Sequence, residues 1–212
     1  MLVHPWDRPL DDDEALAFVR RTAFGHLVAP GRREVPVVVP TQYVVDDADV
    51  AGRLFPDVLL HLARPNPVWS ALAESPTVVL SVAGEWAYVP AAWKAIGDED
   101  PALGIPTTYY AAVQLIATAE ILDDVDAKLA VLRAQLGVFE PGSDVADPSA
   151  HERKLAGIRG LRLSVREVLA KFKYGGNVDA AHRAAVADRL ASRGGPGDAA
   201  ARGHVLRSLR ET

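Results

Sequence analysis

The stretch His61-Leu62-Ala63-Arg64-Pro65-Asn66-Pro67-Val68-Trp69 decides how the middle of this 212-residue chain folds. The apolar run Val58–Leu60 before it predicts a buried strand. Pro65 and Pro67 then end strand pairing, because proline has no N–H to donate. Asn66 before a proline is typical of a helix start, with asparagine as N-cap and proline at the first helical position. The sequence therefore predicts a strand that turns directly into a helix.

This corner would bring a histidine and an arginine close to a helix N-terminus. His61 lies on the strand, where an imidazole can ligate a metal or carry a proton. Arg64 and the free N–H groups of the helix N-terminus favour an anion. The plainer alternative is a structural corner, with Arg64 solvated and His61 hydrogen-bonded in the core. The residues alone leave both interpretations open.

Composition limits what the rest of the chain can do. The length and the 49% of hydrophobic residues fit one domain, which we predict over residues 1–192, with a C-terminal tail or helix over residues 193–212. The net charge of −5 and the scattered basic residues argue against a nucleic-acid partner. The absence of cysteine excludes disulfides, iron–sulfur clusters, thiolate-ligated haem and a cysteine nucleophile. No secretory signal or membrane-spanning run is visible, so we expect a cytoplasmic protein without a membrane partner.

Short β-branched and alternating runs predict several strands with few helices between them. The run Val35–Val45 contains two prolines and is expected at a sheet edge. Thr77–Val82 and Trp86–Val89 predict two strands joined by a turn at Gly84-Glu85, and Thr107–Ile121 predicts one long strand. The other predicted elements are a helix opened by Asp11–Glu14, a helix after Asp124 with Leu129, Leu132 and Leu136 on its apolar stripe, a strand from Leu161 and a helix over Ala180–Ser192. This pattern favours an antiparallel barrel.

The nonapeptide resembles the signature of the PaiB-type proteins, a branch of the flavin-binding split-barrel superfamily. Further segments resemble the same family in the same order, namely Ala87–Trp93, Ile105–Val113, Gly157–Leu161 and Lys171–Lys173. The resemblance covers about residues 1 to 190. It implies a mainly β fold with peripheral helices (α+β), a split β-barrel of the flavin-reductase or pyridoxamine-oxidase kind. It also implies a homodimer with the cofactor site between subunits.

Several positions depart from the flavin-binding members of that family. Those members usually carry His-Leu-Pro, Trp-Asn-Tyr and Lys-Leu-Ser-Gln-Asn where this chain has Val38–Pro40, Thr108–Tyr110 and Lys173–Asn177. Gln114 stands where they have a histidine. These changes fall where flavin or its substrate is held, while the nonapeptide is kept. The chain therefore resembles more closely the haem-dependent piperazate synthases, which close N5-hydroxy-L-ornithine to L-piperazic acid.

The resemblance implies haem b as the cofactor, with FMN as the alternative. Without cysteine, a haem iron needs another protein ligand. His61 is expected in a buried apolar strand, whereas His151, His182 and His204 are expected to be solvated. We therefore expect His61 to be the metal ligand. The predicted cofactor-binding residues are His61, Arg64, Asn66 and Trp69.

The implied cyclisation needs a proton donor for the leaving oxygen. The candidate catalytic residues are Tyr88, Tyr109, Tyr110 and Lys173. The expected partners are a small amino-acid-derived substrate and a second copy of the chain. Two other functions remain open. One is an FMN-binding PaiB-like flavoprotein, reductase or transcriptional regulator, and the other is a haem-handling split-barrel protein.

Overall fold

The computed structural model describes residues 1–31, 35–47, 55–95 and 99–210, apart from the side chain of Asp12. The strands within these ranges are β1 (Phe24–Ala29), β2 (Val37–Gln42), β3 (Val44–Asp46), β4 (Asp57–Ala63), β5 (Thr77–Val89), β6 (Thr107–Leu122) and β7 (Ile158–Lys173). They form one seven-stranded sheet in the order β2-β1-β5-β6-β7-β4-β3. The pairs β1–β2, β1–β5, β3–β4 and β4–β7 are all antiparallel.

Helices account for most of the remaining regular structure. They are α1 (Asp12–Thr22), α2 (Val68–Glu74), α3 (Val125–Phe139), α4 (Ala180–Arg193) and α5 (Asp198–Arg210), with short 3₁₀ segments at Pro5–Asp7, Ala91–Trp93, Pro101–Leu103 and Pro148–Gly157. The prediction of a mainly β fold with peripheral helices is confirmed.

The proline-containing run Val35–Val45 does lie at sheet edges, but it forms two strands. β2 is the first strand of the sheet order and β3 is the last. Pro40 pairs in register with His26 of β1, and an edge strand tolerates the missing N–H. Tyr43 lies between the two strands and is fully buried, and its hydroxyl donates to the carbonyl of Val19 at 2.8 Å.

The turn predicted at Gly84-Glu85 is wrong, because β5 continues through both residues. Its buried side chains fall on even-numbered positions up to Val82 and on odd-numbered positions from Ala87. Glycine has no side chain to pack, so it marks the place where the strand changes the face that it buries. The long strand predicted over Thr107–Ile121 is confirmed as β6.

α3 begins where the aspartates predicted, because Asp124 Oδ1 accepts a hydrogen bond from the Ala127 N–H at 2.8 Å. The expected stripe of Leu129, Leu132 and Leu136 is only partly correct. The most buried residues of the helix are Lys128, Leu129, Val131 and Gln135. Val131 packs in a core cluster with Val44, Leu59 and Leu122. A lysine and a glutamine share this buried face because each has a polar partner there.

The predicted strand-to-helix corner is confirmed, with the helix starting one residue later than expected. β4 ends at Ala63 and α2 starts at Val68, with Pro67 in the N-cap position. Asn66 still serves the helix start, because its Oδ1 accepts from the Val68 N–H at 3.0 Å. The Arg64 N–H donates to the Gly157 carbonyl at 2.8 Å, which continues the pairing of β4 with its neighbour.

The chain divides into two compact units. The terminal unit contains Met1–Ala15, Ala83–Val113 and Leu169–Thr212, and the central unit contains Leu16–Val82 and Gln114–Val168. The strands β5, β6 and β7 each contribute residues to both units. The domain boundary predicted after residue 192 stays a prediction.

Within the described ranges, every helix is too short or too polar to cross a lipid bilayer. The cytoplasmic location remains a prediction.

Candidate cofactor-binding site

His61 lies on β4 in the central unit and is half-buried. Its residue partner across the β4–β7 pair is Gly160, where a Cβ would come within 3.2 Å of side-chain atoms of Leu122 and Val131. The His61 Nδ1 lies 2.6 Å from the side-chain oxygen of Gln135 on α3. The strand and the helix therefore hold the imidazole from two sides.

The contact with Gln135 determines which ring nitrogen of His61 carries the proton. An amide oxygen only accepts hydrogen bonds, so Nδ1 is the donor, and in the neutral imidazole Nε2 then carries the lone pair. Nε2 has no hydrogen-bond partner among the residues that the structure describes. Metal-ligating histidines typically donate their other ring N–H in this way, which fixes the tautomer and the ring orientation. His61 is therefore prepared to ligate a metal through Nε2.

The side-chain nitrogen of Gln135 is less well accommodated than its oxygen. The residue is 4% exposed, and its Nε2 is buried without a hydrogen-bond partner among the described residues. A buried unpaired amide N–H costs about 1–3 kcal/mol. This cost falls on a residue whose side-chain oxygen is hydrogen-bonded to His61.

Arg64 is part of an ion cluster centred on Asp123. Its guanidinium donates to Asp123 Oδ1 at 2.5 Å and to Oδ2 at 3.2 Å, and its Nε donates to the Ala156 carbonyl at 2.7 Å. Lys128 Nζ lies 2.8 Å and Arg159 Nε 3.0 Å from the same carboxylate. Hydrogen bonds from Lys128 and then from Arg64 hold the pKa of Asp123 well below its usual range.

This Asp123 cluster, formed by Asp123, Arg64, Lys128 and Arg159, has a surplus of positive charge. Three cations surround one carboxylate, and the first turn of α3 follows it. Both the charge surplus and the helix N-terminus favour an anion. The Arg64 side chain is 39% exposed, so part of its guanidinium is accessible to a ligand.

Asn66 and Trp69 have structural contacts of their own in the corner. The Asn66 side chain accepts from the Val68 N–H, as described above. The indole N–H of Trp69 donates to the Ala63 carbonyl at 2.9 Å, and the Arg159 guanidinium lies 5.5 Å from the Trp69 ring centre. These contacts hold the geometry of the corner, and cofactor contact by either residue stays a prediction.

The four candidate catalytic residues all belong to the terminal unit. Tyr88 is 49% exposed and Tyr110 is half-buried. Tyr109 is 1% exposed, and its hydroxyl has no hydrogen-bond partner among the described residues. Burial raises the pKa of Tyr109 to about 12, so it keeps its proton at neutral pH. Lys173 is the half-buried last residue of β7.

Two of these four residues line the same cavity. Tyr109 and Lys173 both line a cavity of about 560 Å³ within the terminal unit. Tyr88 lines a different cavity with Trp86 and Arg193. The predicted cofactor-binding residues belong to the central unit and the predicted catalytic residues to the terminal unit.

The expected solvation of three other histidines is only partly correct. His151 is exposed, as predicted. The prediction for His204 is wrong, because its side chain is 10% exposed and its ring stacks on Tyr174 with ring centres 4.4 Å apart. His182 is half-buried, and burial lowers its pKa. Composition predicted surface helices here, whereas α4 and α5 pack against each other.

Sequence reasoning missed Gln135, Asp123 and Lys128. Gln135 and Lys128 stand on the same side of α3 as Val131, at spacings of four and three residues. Polar residues at such positions are usually solvated, so the sequence carries no signal for their burial. Within the described ranges, no three His, Cys, Asp or Glu side chains converge as ligands for a bare metal ion.

Comparison with known proteins supports the fold. A family model described as "Putative FMN-binding domain" matches residues 1–167. Among solved structures, the conserved hypothetical protein Rv2991 from Mycobacterium tuberculosis has a TM-score of 0.58 at 14% identity, covering 84% of this chain and 94% of that one. A search of curated proteins finds no match.

Two further solved structures belong to proteins named for their cofactors. The flavocytochrome Anf3 from Azotobacter vinelandii has a TM-score of 0.58 at 20% identity, covering 79% of this chain and 69% of that one. The FAD and haem binding protein from Mycobacterium smegmatis has a TM-score of 0.55 at 21% identity, covering 79% and 74%. These similarities confirm the split-barrel fold predicted from the sequence.

Proposed function

The chain belongs to the family described as "Putative FMN-binding domain", and from that premise we propose a more specific function. It binds haem b through His61 and acts as a haem-dependent N–N cyclase that converts N5-hydroxy-L-ornithine to L-piperazic acid.

The hydrogen bond between His61 and Gln135 is the observation that carries this proposal. It places the proton on Nδ1 and leaves the lone pair of Nε2 for a metal. Burial of a glutamine with an unpaired N–H is unfavourable, so we infer that the hydrogen bond accepted by its oxygen has a function. Orienting an axial ligand is such a use. The similar structures named as a flavocytochrome and as an FAD and haem binding protein add that this fold is compatible with haem.

Arg64 is proposed to hold an anionic arm of the cofactor. The Asp123 cluster has two more cations than anions, so a propionate can bind there without removing Arg64 from Asp123. The same cluster would suit a flavin phosphate, so it does not by itself distinguish the two cofactors.

The proposed reaction is redox-neutral and loses one water. When bound, haem supplies a Lewis acid that makes the hydroxylamine oxygen a better leaving group. The α-amino nitrogen of the substrate forms a bond to N5 while the N5–O bond breaks. The departing oxygen leaves as water with a proton that balances the one lost from the amine. A donor from the chain accelerates this step, and Tyr88, Tyr109, Tyr110 and Lys173 remain the candidates.

Of these candidates, Lys173 is the best placed to exchange protons with a ligand. It lines a cavity and is only half-buried. Tyr109 lines the same cavity, but its pKa of about 12 and the burial of its hydroxyl suit a fixed hydrogen-bond donor better than a proton carrier. Within the terminal unit, Lys173 therefore suits a proton carrier better than Tyr109 does, and all four residues stay candidates for the donor.

An FMN-binding flavoprotein is the second candidate function, because the matching family model is described in those terms. A haem-handling protein without cyclase activity would bind haem but leave N5-hydroxy-L-ornithine unchanged. We also propose that the chain is a homodimer. Sedimentation equilibrium at micromolar concentration should give twice the 22.7 kDa chain mass, and a monomer would contradict this.

The absorption spectrum of the purified protein tests the cofactor. We expect a Soret band that is lost or shifted in His61→Ala and unchanged in the control His151→Ala, which removes an exposed histidine. An unchanged spectrum in His61→Ala would refute the ligand. His26→Ala would then be the next variant, since His26 is exposed on β1.

Incubation of haem-loaded protein with N5-hydroxy-L-ornithine tests the reaction. The product should be lighter by one water, without stoichiometric consumption of a reductant. A protein that purifies yellow with flavin and leaves this compound untouched would support the flavoprotein instead.

A further inference from the structure

The terminal unit has a second cavity, of about 390 Å³, that the proposed function does not use. Its volume lies in the range of small-molecule sites. Residues of the N-terminal segment, the end of β7 and the helices α4 and α5 line it, and both helices follow residue 167, where the match to the family model ends. We call it the α4–α5 cavity, and its charged and aromatic lining includes Trp6, Arg8, Glu14, Phe172, Tyr174 and Arg183.

The α4–α5 cavity lies on the side of the β7 end that faces away from Lys173. Phe172 and Tyr174 line it, whereas Lys171 and Lys173 line the cavity of about 560 Å³. Neighbouring residues of an extended strand point to opposite faces of a sheet, which accounts for this separation. The two linings have Trp6 in common. The lining that the structure describes for the α4–α5 cavity contains none of the residues proposed to bind the cofactor or to donate a proton.

Arg183 of α4 is a buried cation in this lining. The residue is 9% exposed, and its Nη1 donates to Ser208 Oγ of α5 at 3.1 Å. Its Nε N–H is buried and has no hydrogen-bond partner among the residues that the structure describes. A buried charge that is not paired is unfavourable, so an acceptor that reaches this guanidinium would be bound with a gain in free energy.

The unpartnered edge of Arg183 is the edge with which other arginines of this chain bind carboxylates. Nε and Nη2 of Arg133 hold the two oxygens of Asp147 at 2.7 and 2.9 Å, and the same atoms of Arg193 hold those of Asp198 at 2.8 and 2.6 Å. Two parallel N–H groups match the two oxygens of one carboxylate. Within the described ranges, neither Nε nor Nη2 of Arg183 has a hydrogen-bond partner. A carboxylate is therefore the group that this edge lacks.

The carboxylate of Glu14, which also lines the cavity, is bound to other groups. Its Oε2 accepts from the Leu10 N–H at 2.6 Å, and its Oε1 pairs with Arg207 and lies 3.7 Å from His204 Nδ1. These contacts tie α1 to α5 and occupy both oxygens. Glu14 therefore forms part of the wall and does not supply the acceptor for Arg183.

The remaining wall of the cavity is rich in flat aromatic rings. Trp6, Phe172 and Tyr174 line it, and the ring of His204 stacks on Tyr174 with ring centres 4.4 Å apart and an angle of 8° between the planes. Aromatic rings pack favourably on one another in stacked and edge-to-face arrangements. A ligand that carries an aromatic ring beside its carboxylate matches both the wall and the guanidinium.

We propose that the α4–α5 cavity binds a small aromatic carboxylate, with its carboxylate on the Nε and Nη2 edge of Arg183 and its ring among Trp6, Phe172 and Tyr174. Charge-assisted hydrogen bonds of this kind are about twice as strong as neutral ones. The site needs neither haem nor the residues proposed for the cyclisation, so its test and that of the proposed function fail independently.

Ligand-observed NMR titration of the purified protein tests the proposal with three matched probes. Benzoate should bind. Benzamide has the same shape without the charge, and cyclohexanecarboxylate has the charge without the flat ring, so both should bind more weakly. Arg183→Met should weaken benzoate binding by about 10-fold or more, the loss expected for charge-assisted hydrogen bonds. Arg183→Lys should restore only part of the affinity, because the planar fork is lost. The control Arg189→Met removes an exposed arginine of the same helix and should have no effect.

The proposal is overturned if benzamide or cyclohexanecarboxylate binds as well as benzoate, or if Arg183→Met leaves the affinity unchanged. Tighter binding of inorganic phosphate than of benzoate would also overturn it, because the site would then be a phosphate site. Thermal unfolding of each variant, monitored by circular dichroism, shows whether a lost affinity reflects a lost fold. If Arg183→Met is unstable, Arg183→Lys keeps the test decisive, since it retains the charge and an unchanged affinity for benzoate would contradict the role of the planar fork.

Discussion

Replacing Gln135 with leucine should lower the affinity of this protein for haem while changing its free energy of unfolding only slightly. The change removes the acceptor that keeps the proton on His61 Nδ1, which loses a hydrogen bond of about 0.5–1.5 kcal/mol. It also removes the buried, unpaired amide N–H, whose burial costs about 1–3 kcal/mol. The two terms oppose each other. We expect a net change within about 1 kcal/mol, or a melting shift of about 2–4 °C for a chain of this size.

The affinity for haem should respond much more strongly. Without Gln135, the half-buried His61 is free to move its proton to Nε2, which blocks the lone pair needed for ligation. Loss of such a supporting contact typically weakens metal binding by about 10–100-fold. The conservative variant Gln135→Glu keeps an acceptor and should keep the affinity.

Titration of apoprotein with haem, monitored at the Soret band, measures this affinity, and calorimetry measures the melting temperature. Gln42→Leu serves as the control, because Gln42 is an exposed glutamine on β2. Equal haem affinity in Gln135→Leu and the unaltered protein would refute the role assigned to Gln135. A parallel loss of stability and affinity would show that the contact is only structural.

Two further predictions concern the Asp123 cluster. Asp123→Asn removes the negative charge beside the Lys128 ammonium, which is 5% exposed and also donates to the Leu155 carbonyl at 3.3 Å. The change should cost about 2 kcal/mol in urea unfolding, less than for a fully buried pair because Asp123 is partly exposed. The pKa of Asp123 is lower in the folded protein than in the unfolded chain, so the ionised carboxylate stabilises the fold at pH values above the unfolded pKa of about 3.9. This stabilisation is lost as the pH falls toward the folded pKa. In Asp123→Asn, the free energy of unfolding should therefore decrease less steeply at acidic pH, the acid limb of the stability curve. An unchanged acid limb would show that other carboxylates dominate it. Arg64→Ala should release haem more readily, with only partial rescue by Arg64→Lys because the planar fork is lost, and full retention of haem in Arg64→Ala would leave Arg64 a purely structural residue.

The corner around His61 was predictable because its signals are local. A β-branched or apolar run, two prolines and an asparagine determine where β4 ends and α2 begins, and neighbouring residues supply each signal. The length of β6 was predictable for the same reason. Gly84-Glu85 misled the prediction because glycine favours a turn locally, whereas β5 stays extended through both residues as part of the sheet. Tertiary pairing overrides a local preference of this size.

The partners of the candidate site were not predictable, because they come from distant parts of the chain. Gln135 meets His61 across 74 residues, and Arg64 meets Asp123 across 59. A polar residue on a helix is normally solvated, so the sequence does not predict that Gln135 and Lys128 are buried. The sequence could therefore indicate which histidine to consider but not what prepares it as a ligand.

Helix α3 links the two parts of the candidate cofactor site in the central unit. Asp123 precedes its N-cap, Lys128 lies in its second turn and Gln135 in its last turns. The helix thus orients His61 at one end and holds Arg64, through Asp123, at the other. Because one helix contacts the His61 imidazole directly and follows the carboxylate that binds Arg64, a change that displaces α3 should disturb the proposed metal ligand and the proposed anion anchor together.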